Sequence, residues 1–573
     1  MGVPRLFPWL ISTFPRAVKH FHNDKFKTNV DYSYLDASGL LHTAAQIVYN
    51  YGTHKRFLDK YKNLSLEDKQ RKVFSLFFEN ICQITDIAIP QKVLYIAIDG
   101  PAPLAKQAQQ RQRRFVAAKI RSEEEKETNS SKFDSNQLTP GTLFMHNLTK
   151  YINYAIRKEI NSNVKWQNIN VYFSPPTVPG EGEHKIMNFI RELSASEKTN
   201  ASHCLFGPDG DLIMLTLATH IPKMFLLRED QNNPEFLFFL DMGLVRTKLG
   251  YTQSKTRNFD DITNDFIIEG FFVGNDFLPK IQMFHLLEEG LEFMLNTYAK
   301  TSKCGQCNFL TVNNKFNLSG FKIFIAQLSK YEINHLIKQV TTRNRYKQPL
   351  AKCFRNNTLL KHITVIDKKH HLDFDGYRRD YYLKSGISNE ADITKMCYNY
   401  LKSFVWVFEY YVHGLPSWRW AYEWHYAPLM CDFNNYVQSI DVFNINFALQ
   451  SASRPFEQLL SVLPPSSANL LPGPYRKLML SPDSSLVGYY PNEFHIDYEG
   501  KLQEYQGVVI LPFVDYNNIH REYKTVKLEK YVRNTVGKPA VFTYDKKYCA
   551  TFTSEMGNIK NLHVRKMIID NSK

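Results

Sequence analysis

Over its first 300 residues the chain alternates short apolar runs with helix-patterned stretches, and this alternation limits the fold more than any other feature. Tyr34-Leu35-Asp36, Val93–Ile98, Ile169–Phe173, Cys204–Phe206 and Met224–Leu227 each read as a buried strand followed by a turn or a helix. Strands separated by helices predict an α/β fold with a mostly parallel central sheet flanked by helices. In such sheets functional groups gather at the carboxyl ends of the strands. Asp36, Asp99 and Asp209 fall at or just beyond those ends.

Seven acidic residues stand in five short motifs: LDASGLLH (Asp36), AIDGPAP (Asp99), PGEGEHKIM (Glu181, Glu183), GPDGDLIML (Asp209, Asp211) and FFVGNDFLP (Asp276). In the two acidic-Gly-acidic motifs both carboxylates can face one way, and glycine permits a tight backbone between them. Any one of these residues alone would read as a helix cap or a turn residue. Together they would repel one another unless a cation neutralised them. Magnesium, which takes oxygen ligands, suits such a set, and two ions could serve phosphodiester cleavage.

Downstream of Asp99 runs APLAKQAQQRQRRF, where Lys106, Gln110, Arg113 and Arg114 are spaced to share one face of a helix. One Lys, one amide and two Arg suit a terminal phosphate. A merely solvated basic face is the alternative, and the helix starting just past a candidate ligand favours the phosphate.

Lys plus Arg outnumber Asp plus Glu by 71 to 56, a net +15 that favours a polyanionic partner such as nucleic acid. Eight cysteines in 573 residues give no disulfide framework, which points to a reducing compartment. Cys304 and Cys307 form one CxxC without a second pair, so ordinary thiols are expected there rather than zinc. No signal peptide and no membrane-length apolar run is read, and the chain is expected to be soluble and intracellular, the cytoplasm favoured over the nucleus. The polar stretch RSEEEKETNSSKFDSN is expected to form an exposed loop. Residues 338–384 hold twelve Lys or Arg against four Asp, which suits a helical connector, a nucleic-acid face or solvated surface equally.

MGVPRLFPWL, DASGLLH, AIDGPAPLAKQAQQRQRRF, FDSNQLTPGTLFM, PGEGEHKIM, GPDGDLIMLTL and VGNDFLP resemble the consecutive motifs of the XRN-type 5'-3' exoribonucleases. The resemblance resumes at SWRWAYEWHYAPLMCDF, RPFEQLLSVLPPSSANLLP, YYPNEFHIDYEGK and YQGVVILPF. It implies a PIN/FEN-like nuclease core with a second, mixed, aromatic-rich helical region packed against it. It implies that Asp36, Asp99, Glu181, Glu183, Asp209, Asp211 and Asp276 bind two Mg2+ ions, with Mn2+ as a substitute. By the same resemblance, Lys106, Gln110, Arg113 and Arg114 form a pocket for the 5'-monophosphate of single-stranded RNA, too small for a cap or triphosphate. His42 would stack on the 5'-terminal base, with Trp418 or Trp420 on its other face. Read alone, His42 would be a buried structural histidine and the tryptophans core residues.

The implied division is a nuclease core over 1–300, a basic helical connector over 301–389, a second conserved region over 390–520 and an unassigned basic segment over 521–573. Ala421 and Trp424 depart from the family's usual tyrosines after SWxW, and the short interval from Asp276 to SWRW suggests a minimal member. Two rival readings stay open: a flap-type structure-specific DNA nuclease and a catalytically inactive RNA-binding scaffold. After Asp276 the chain reads FLPKIQMFHLLEEG, without the Gly-x-Gly turn that flap-type enzymes use to hold duplex DNA, and none of the core carboxylates is lost. Protein partners are not legible.

Overall fold

The apolar runs form the expected strands. In a computed structural model, β1 (Val18–His22), β2 (Thr28–Asp36), β3 (Ala88–Ala97), β4 (Asn170–Ser174), β5 (His203–Phe206), β6 (Met224–Glu229) and β7 (Phe236–Asp241) join β8 (Ala540–Tyr544) and β9 (Val564–Ile568) in one sheet. Its order is β1-β7-β6-β5-β2-β3-β4-β8-β9. The central strands from β6 to β4 are parallel, whereas β1 and β7 on one side and β8 and β9 on the other are added antiparallel. The expected parallel sheet is therefore the centre of a mixed one, and its last two strands come from the segment left without assignment.

The structure describes residues 6–56, 59–253, 258–284, 290–302, 309–343, 357–441, 445–499, 501, 506–526 and 531–570. Two compact units result: residues 14–245, 450–492 and 514–573 form the sheet unit, and residues 1–13, 246–449 and 493–513 form the helical unit.

In the sheet unit, α1 (Ser38–Tyr49), α2 (Leu66–Ile87), α3 (Leu104–Thr128), α4 (Leu143–Ser162), α5 (Gly182–Glu192), α6 (Leu212–Ala218) and α7 (Pro455–Val462) surround the strands. Both sheet faces are covered at the centre, so residues 32–36 of β2 and 93–97 of β3 are buried without alternation. Phe74 and Phe77 of α2, Leu148 and Ile152 of α4, and Leu94 and Ile96 of β3 share one core. On the other face Phe189 of α5 packs on Tyr95 and Tyr172, with ring centroids 4.9 and 5.0 Å away.

The polar stretch beginning at Arg121 is not the expected loop throughout, because α3 continues to Thr128. Glu, Lys and Arg are good helix formers, and a solvated helix end has the composition of a loop. Glu124 there pairs with Lys55 at 2.9 Å.

In the helical unit, the helix Phe259–Val273 is buried along nearly its whole length. Its Phe272 lies 4.6 Å, ring to ring, from Phe404 of the helix Glu390–Val412. This is the aromatic-rich helical region expected from the sequence. Of the basic stretch 338–384, residues 344–356 lie outside the described residues. Two of its remaining cations are held in ion pairs: Arg378 with Glu390 at 2.7 Å and Asp432 at 2.9 Å, and Lys384 with Asp497 at 2.7 Å. Cys304 and Cys307 also fall outside the described residues, while Cys82, Cys204, Cys397, Cys431 and Cys549 are free thiols. No helix among the described residues is long and apolar enough to cross a membrane.

Candidate active site

Six of the seven acidic residues belong to the sheet unit and converge at the carboxyl ends of β2, β3 and β5. Parallel pairing sets Asp36 opposite Ala97, so Asp99 emerges two residues beyond it on the neighbouring strand. Ser38 ties the two ends together: its Oγ accepts the Asp99 backbone N–H at 3.0 Å, and its own N–H donates to Asp36 Oδ1 at 3.5 Å. Glu181 is the N-cap residue of α5, and Glu183 lies in its first turn. Between them, the Gly182 N–H donates to Asp99 Oδ1 at 2.7 Å. A Cβ at Gly182 would collide with Asp36 Oδ1, so only glycine lets α5 approach this closely.

One carboxylate oxygen from each of Asp36, Asp99 and Glu183 lies within 4.8 Å of the others, and Glu181, Glu183 and a ring nitrogen of His184 form a second such group. Asp209 and Asp211 follow β5, with Asp211 at the N-cap of α6. Burial, followed by the charges of Asp99, Asp209 and Asp211, holds the Asp36 carboxyl well above the usual carboxylate range. Burial and then Glu181 and Asp36 do the same to Glu183. The donors around Asp36, Asp99 and Glu183 are all oxygens, and only positive charge relieves their repulsion. A hard divalent cation such as Mg2+ fits this set.

The basic residues of α3 do share one face, but they are not equivalent. Lys106 is buried and pairs with Glu181, Nζ to Oε2, at 2.5 Å. It thereby joins the basic face to the acidic centre. Gln110 is buried and accepts from Gln458 of α7 at 3.4 Å. Arg114 is half-buried and donates from Nε to Thr139 Oγ1 at 3.0 Å. Burial pushes its guanidinium down to about 10, with Asp99 opposing. Arg113 is exposed.

His42 is not the buried structural histidine that its sequence setting alone suggests: its ring is open to solvent. The surrounding walls still remove enough water to lead the downward push on its imidazole, with Asp99 and Asp209 opposing and Arg114 and Arg113 reinforcing. Its accessibility follows from the exposed surface of the ring, and its place beside both charged groups follows from those interactions.

Asp276, Trp418 and Trp420 belong to the helical unit. Trp420 is engaged there, with its indole N–H donating to Ser403 Oγ at 2.9 Å and the Lys402 ammonium 4.3 Å from its ring centroid. Trp418 is half-buried and held by its backbone N–H on Leu449 O at 3.1 Å, and no described residue stacks on its ring.

Sequence reasoning missed four neighbours of the acidic centre. Ser38 stands in the same DASGLLH motif as Asp36 but carries no charge to mark it. His184 and Lys185 directly follow Glu183. Lys185 Nζ donates to Ile98 O at 2.7 Å and Pro175 O at 3.1 Å, and burial pushes its amine down to about 7 against Asp99, Asp36 and Glu183. Arg228, on β6, donates to Pro208 O at 3.0 Å beside the Asp209 loop. Adjacency to PGEGE was a signal for His184 and Lys185; nothing in the sequence marked Arg228.

An α/β protein with an acidic, cation-ready centre at the carboxyl ends of its sheet, beside a basic helix, is the class that fold and site define. A family model described as the XRN 5'-3' exonuclease N-terminus matches residues 1–230, and one described as the Xrn1 helical domain matches residues 256–370 and 351–572. The chain belongs to the XRN 5'-3' exonuclease family. It is 31% identical over 627 residues to the 5'-3' exoribonuclease 1 of Homo sapiens, covering 95% of this chain and 36% of that protein. It is 30% identical over 698 residues to the 5'-3' exoribonuclease 1 of Schizosaccharomyces pombe, covering 98% and 51%, and 29% identical over 729 residues to the 5'-3' exoribonuclease 2 of Gallus gallus, covering 98% and 74%. The chain thus spans about a third to a half of the first two relatives. The catalytic core of Rad2 in complex with DNA substrate aligns at 11% identity and a TM-score of 0.29, covering 72% of this chain and 96% of that one, which is too slight a likeness to carry an argument.

Proposed function

We propose that the chain is a magnesium-dependent 5'-3' exoribonuclease that degrades 5'-monophosphorylated single-stranded RNA processively to nucleoside 5'-monophosphates. The observation that carries this reading is the junction of two sites. Carboxylate oxygens of Asp36, Asp99 and Glu183 lie within 4.8 Å of one another, and Lys106 of the basic helix pairs directly with the adjoining Glu181. The relatives' names supply the polarity and the RNA substrate.

Asp36, Asp99, Glu181, Glu183, Asp209 and Asp211 would hold two Mg2+ ions, joined by Asp276 on the strength of its VGNDFLP motif. When bound, the ions supply water activation and charge neutralisation at the scissile phosphodiester. Arg113 and Arg114 offer forked donors and Gln110 a neutral one to a terminal phosphate. His42 offers an accessible ring to the 5'-terminal base, and base stacking is tolerant of sequence. Of the two tryptophans, Trp418 is the one on whose ring no described residue stacks, so we give it the second stacking role that the family resemblance implies. Replacing Trp418 with Ala is expected to raise KM for RNA, whereas Trp420→Ala is expected to lower the melting temperature.

The test uses one RNA sequence carrying a 5'-phosphate or a 5'-hydroxyl, and the matching single-stranded DNA, each with Mg2+ or EDTA. Mononucleotide release from the phosphorylated RNA in Mg2+ alone is the expected result. Survival of both RNAs in Mg2+ would overturn the enzymatic reading, and equal decay of both ends would overturn the phosphate pocket.

A further inference from the structure

The basic helix α3 is backed by α7, and one side chain of α7 meets it with a fixed hydrogen-bond polarity. Gln458 is fully buried. Its Oε1 accepts the Ala102 backbone N–H at 2.7 Å. A backbone N–H can only donate, so the Gln458 amide has one orientation: oxygen toward Ala102 and NH2 away from it. That NH2 meets Gln110 at 3.4 Å. A donor at this place requires Gln110 to turn its Oε1 toward α7. The Gln110 amino group is then the end of the amide that Gln458 does not engage.

We infer that Gln458 is a positioning residue that sets Gln110 to offer N–H donors, rather than its carbonyl oxygen, to the 5'-terminal phosphate. This rests on the phosphate-pocket reading given above. The two ends of an amide are nearly the same size, so packing cannot choose between them. Against a phosphate, however, one end attracts and the other repels. Only a neighbour of defined polarity makes that choice, and Ala102, Gln458 and Gln110 form such a chain. The docking of α3 on α7 does not depend on it. Arg111 Nη1 donates to Ser461 O of α7 at 3.2 Å, and Gln107 Nε2 donates at 3.1 Å to Ser453 Oγ, just ahead of α7. Loss of the Gln458 amide therefore leaves the two helices joined.

The test measures kcat and KM on RNAs of one sequence with either a 5'-phosphate or a 5'-hydroxyl, for Gln458→Met alone and in a Gln110→Ala background. Melting temperatures check the fold of each variant. Gln458→Met is expected to lower the preference for the phosphate end about fivefold, mostly through KM, and to have no further effect once Gln110 is Ala. A second variant, Gln458→Glu, carries a pH signature. A carboxylate cannot donate to Gln110 but a protonated carboxyl can, so its preference relative to wild type should be poorer at pH 8 than at pH 6.

Equal losses on both RNAs, or losses that add to those of Gln110→Ala, would show that Gln458 merely packs the helices and would overturn the inference. An unchanged preference in a folded Gln458→Met protein would do the same. If the wild-type protein itself treats both ends alike, the phosphate pocket fails and the role of Gln458 falls with it, a result distinct from failure of the variants. Should Gln458→Met not fold, Gln458→Glu decides by its pH signature.

Discussion

In the sheet unit, Asp36 and Glu183 lose water beside other carboxylates, and mutual repulsion adds to burial in pushing both well above their usual range. In the helical unit, buried acids meet donors instead. Asp265 accepts from Tyr298 Oη, Thr311 Oγ1 and the Leu310 N–H, and Glu332 accepts the Met430 and Cys431 N–H groups at 2.6 and 2.7 Å. Glu269 shows a third arrangement: fully buried, with no donor to its oxygens among the described residues, it is pushed up well above its usual range by burial and then by Asp265. Burial raises Glu269 and the donor-rich Glu332 alike, and neither calls for a cation, since each can take up a proton. A cluster of acids at neutral pH calls for a cation. Burial alone therefore does not mark a functional carboxylate, nor does one acidic neighbour, whereas three carboxylates with oxygens within 4.8 Å of one another do.

The strongest test of this contrast is Asp209→Ala. In the sheet unit it should lower turnover on the order of 10³-fold or more, about 4 kcal/mol of barrier, while RNA binding and melting temperature hold. Wild-type turnover would place Asp209 among the structural acids. The corresponding change in the helical unit, Asp265→Ala, should do the reverse. Three donors lose their acceptor, so urea unfolding should show a loss of about 3 kcal/mol with little change in kcat of the folded fraction.

Metal addition sharpens the comparison next. Mg2+ at a hundredfold excess over its dissociation constant should stabilise the EDTA-treated protein by about 2.7 kcal/mol in thermal melts, and Asp36→Asn should lose most of that gain. An equal gain in the variant would place the cation elsewhere. A pH test concerns Glu332, whose carboxyl burial raises from 4.5 to about 7. Its folded form holds a proton that the unfolded chain has released. The stability this contributes is present below pH 4.5 and is lost as pH rises through about 7. Glu332→Gln should therefore flatten the fall of unfolding free energy across that window, and an unchanged slope would show that Glu332 does not titrate there.

Much of the candidate site was legible because the relevant spacings are local. Asp36 and Asp99 end apolar strands whose direction is set by their own sequence, and Lys106, Gln110, Arg113 and Arg114 share a face by helical period alone. The continuation of α3 to Thr128 was misread because Glu, Lys and Arg suit both a solvated helix and a loop. Strands β8 and β9 were unreadable because an edge strand is defined by the neighbour it pairs with, and β4 lies more than 360 residues earlier in the sequence.

The sequence by itself determined which residues carry negative and positive charge and on which elements they sit, since strand and helix periods fix the direction of side chains. Tertiary structure alone decided which of them meet. The approach of Gly182 to Asp36, the pairing of Lys106 with Glu181 and the polarity that Gln458 imposes on Gln110 all depend on contacts between distant segments, and no local period encodes these. For the same reason, repulsion among the carboxylates arises only when the sheet brings their strands side by side.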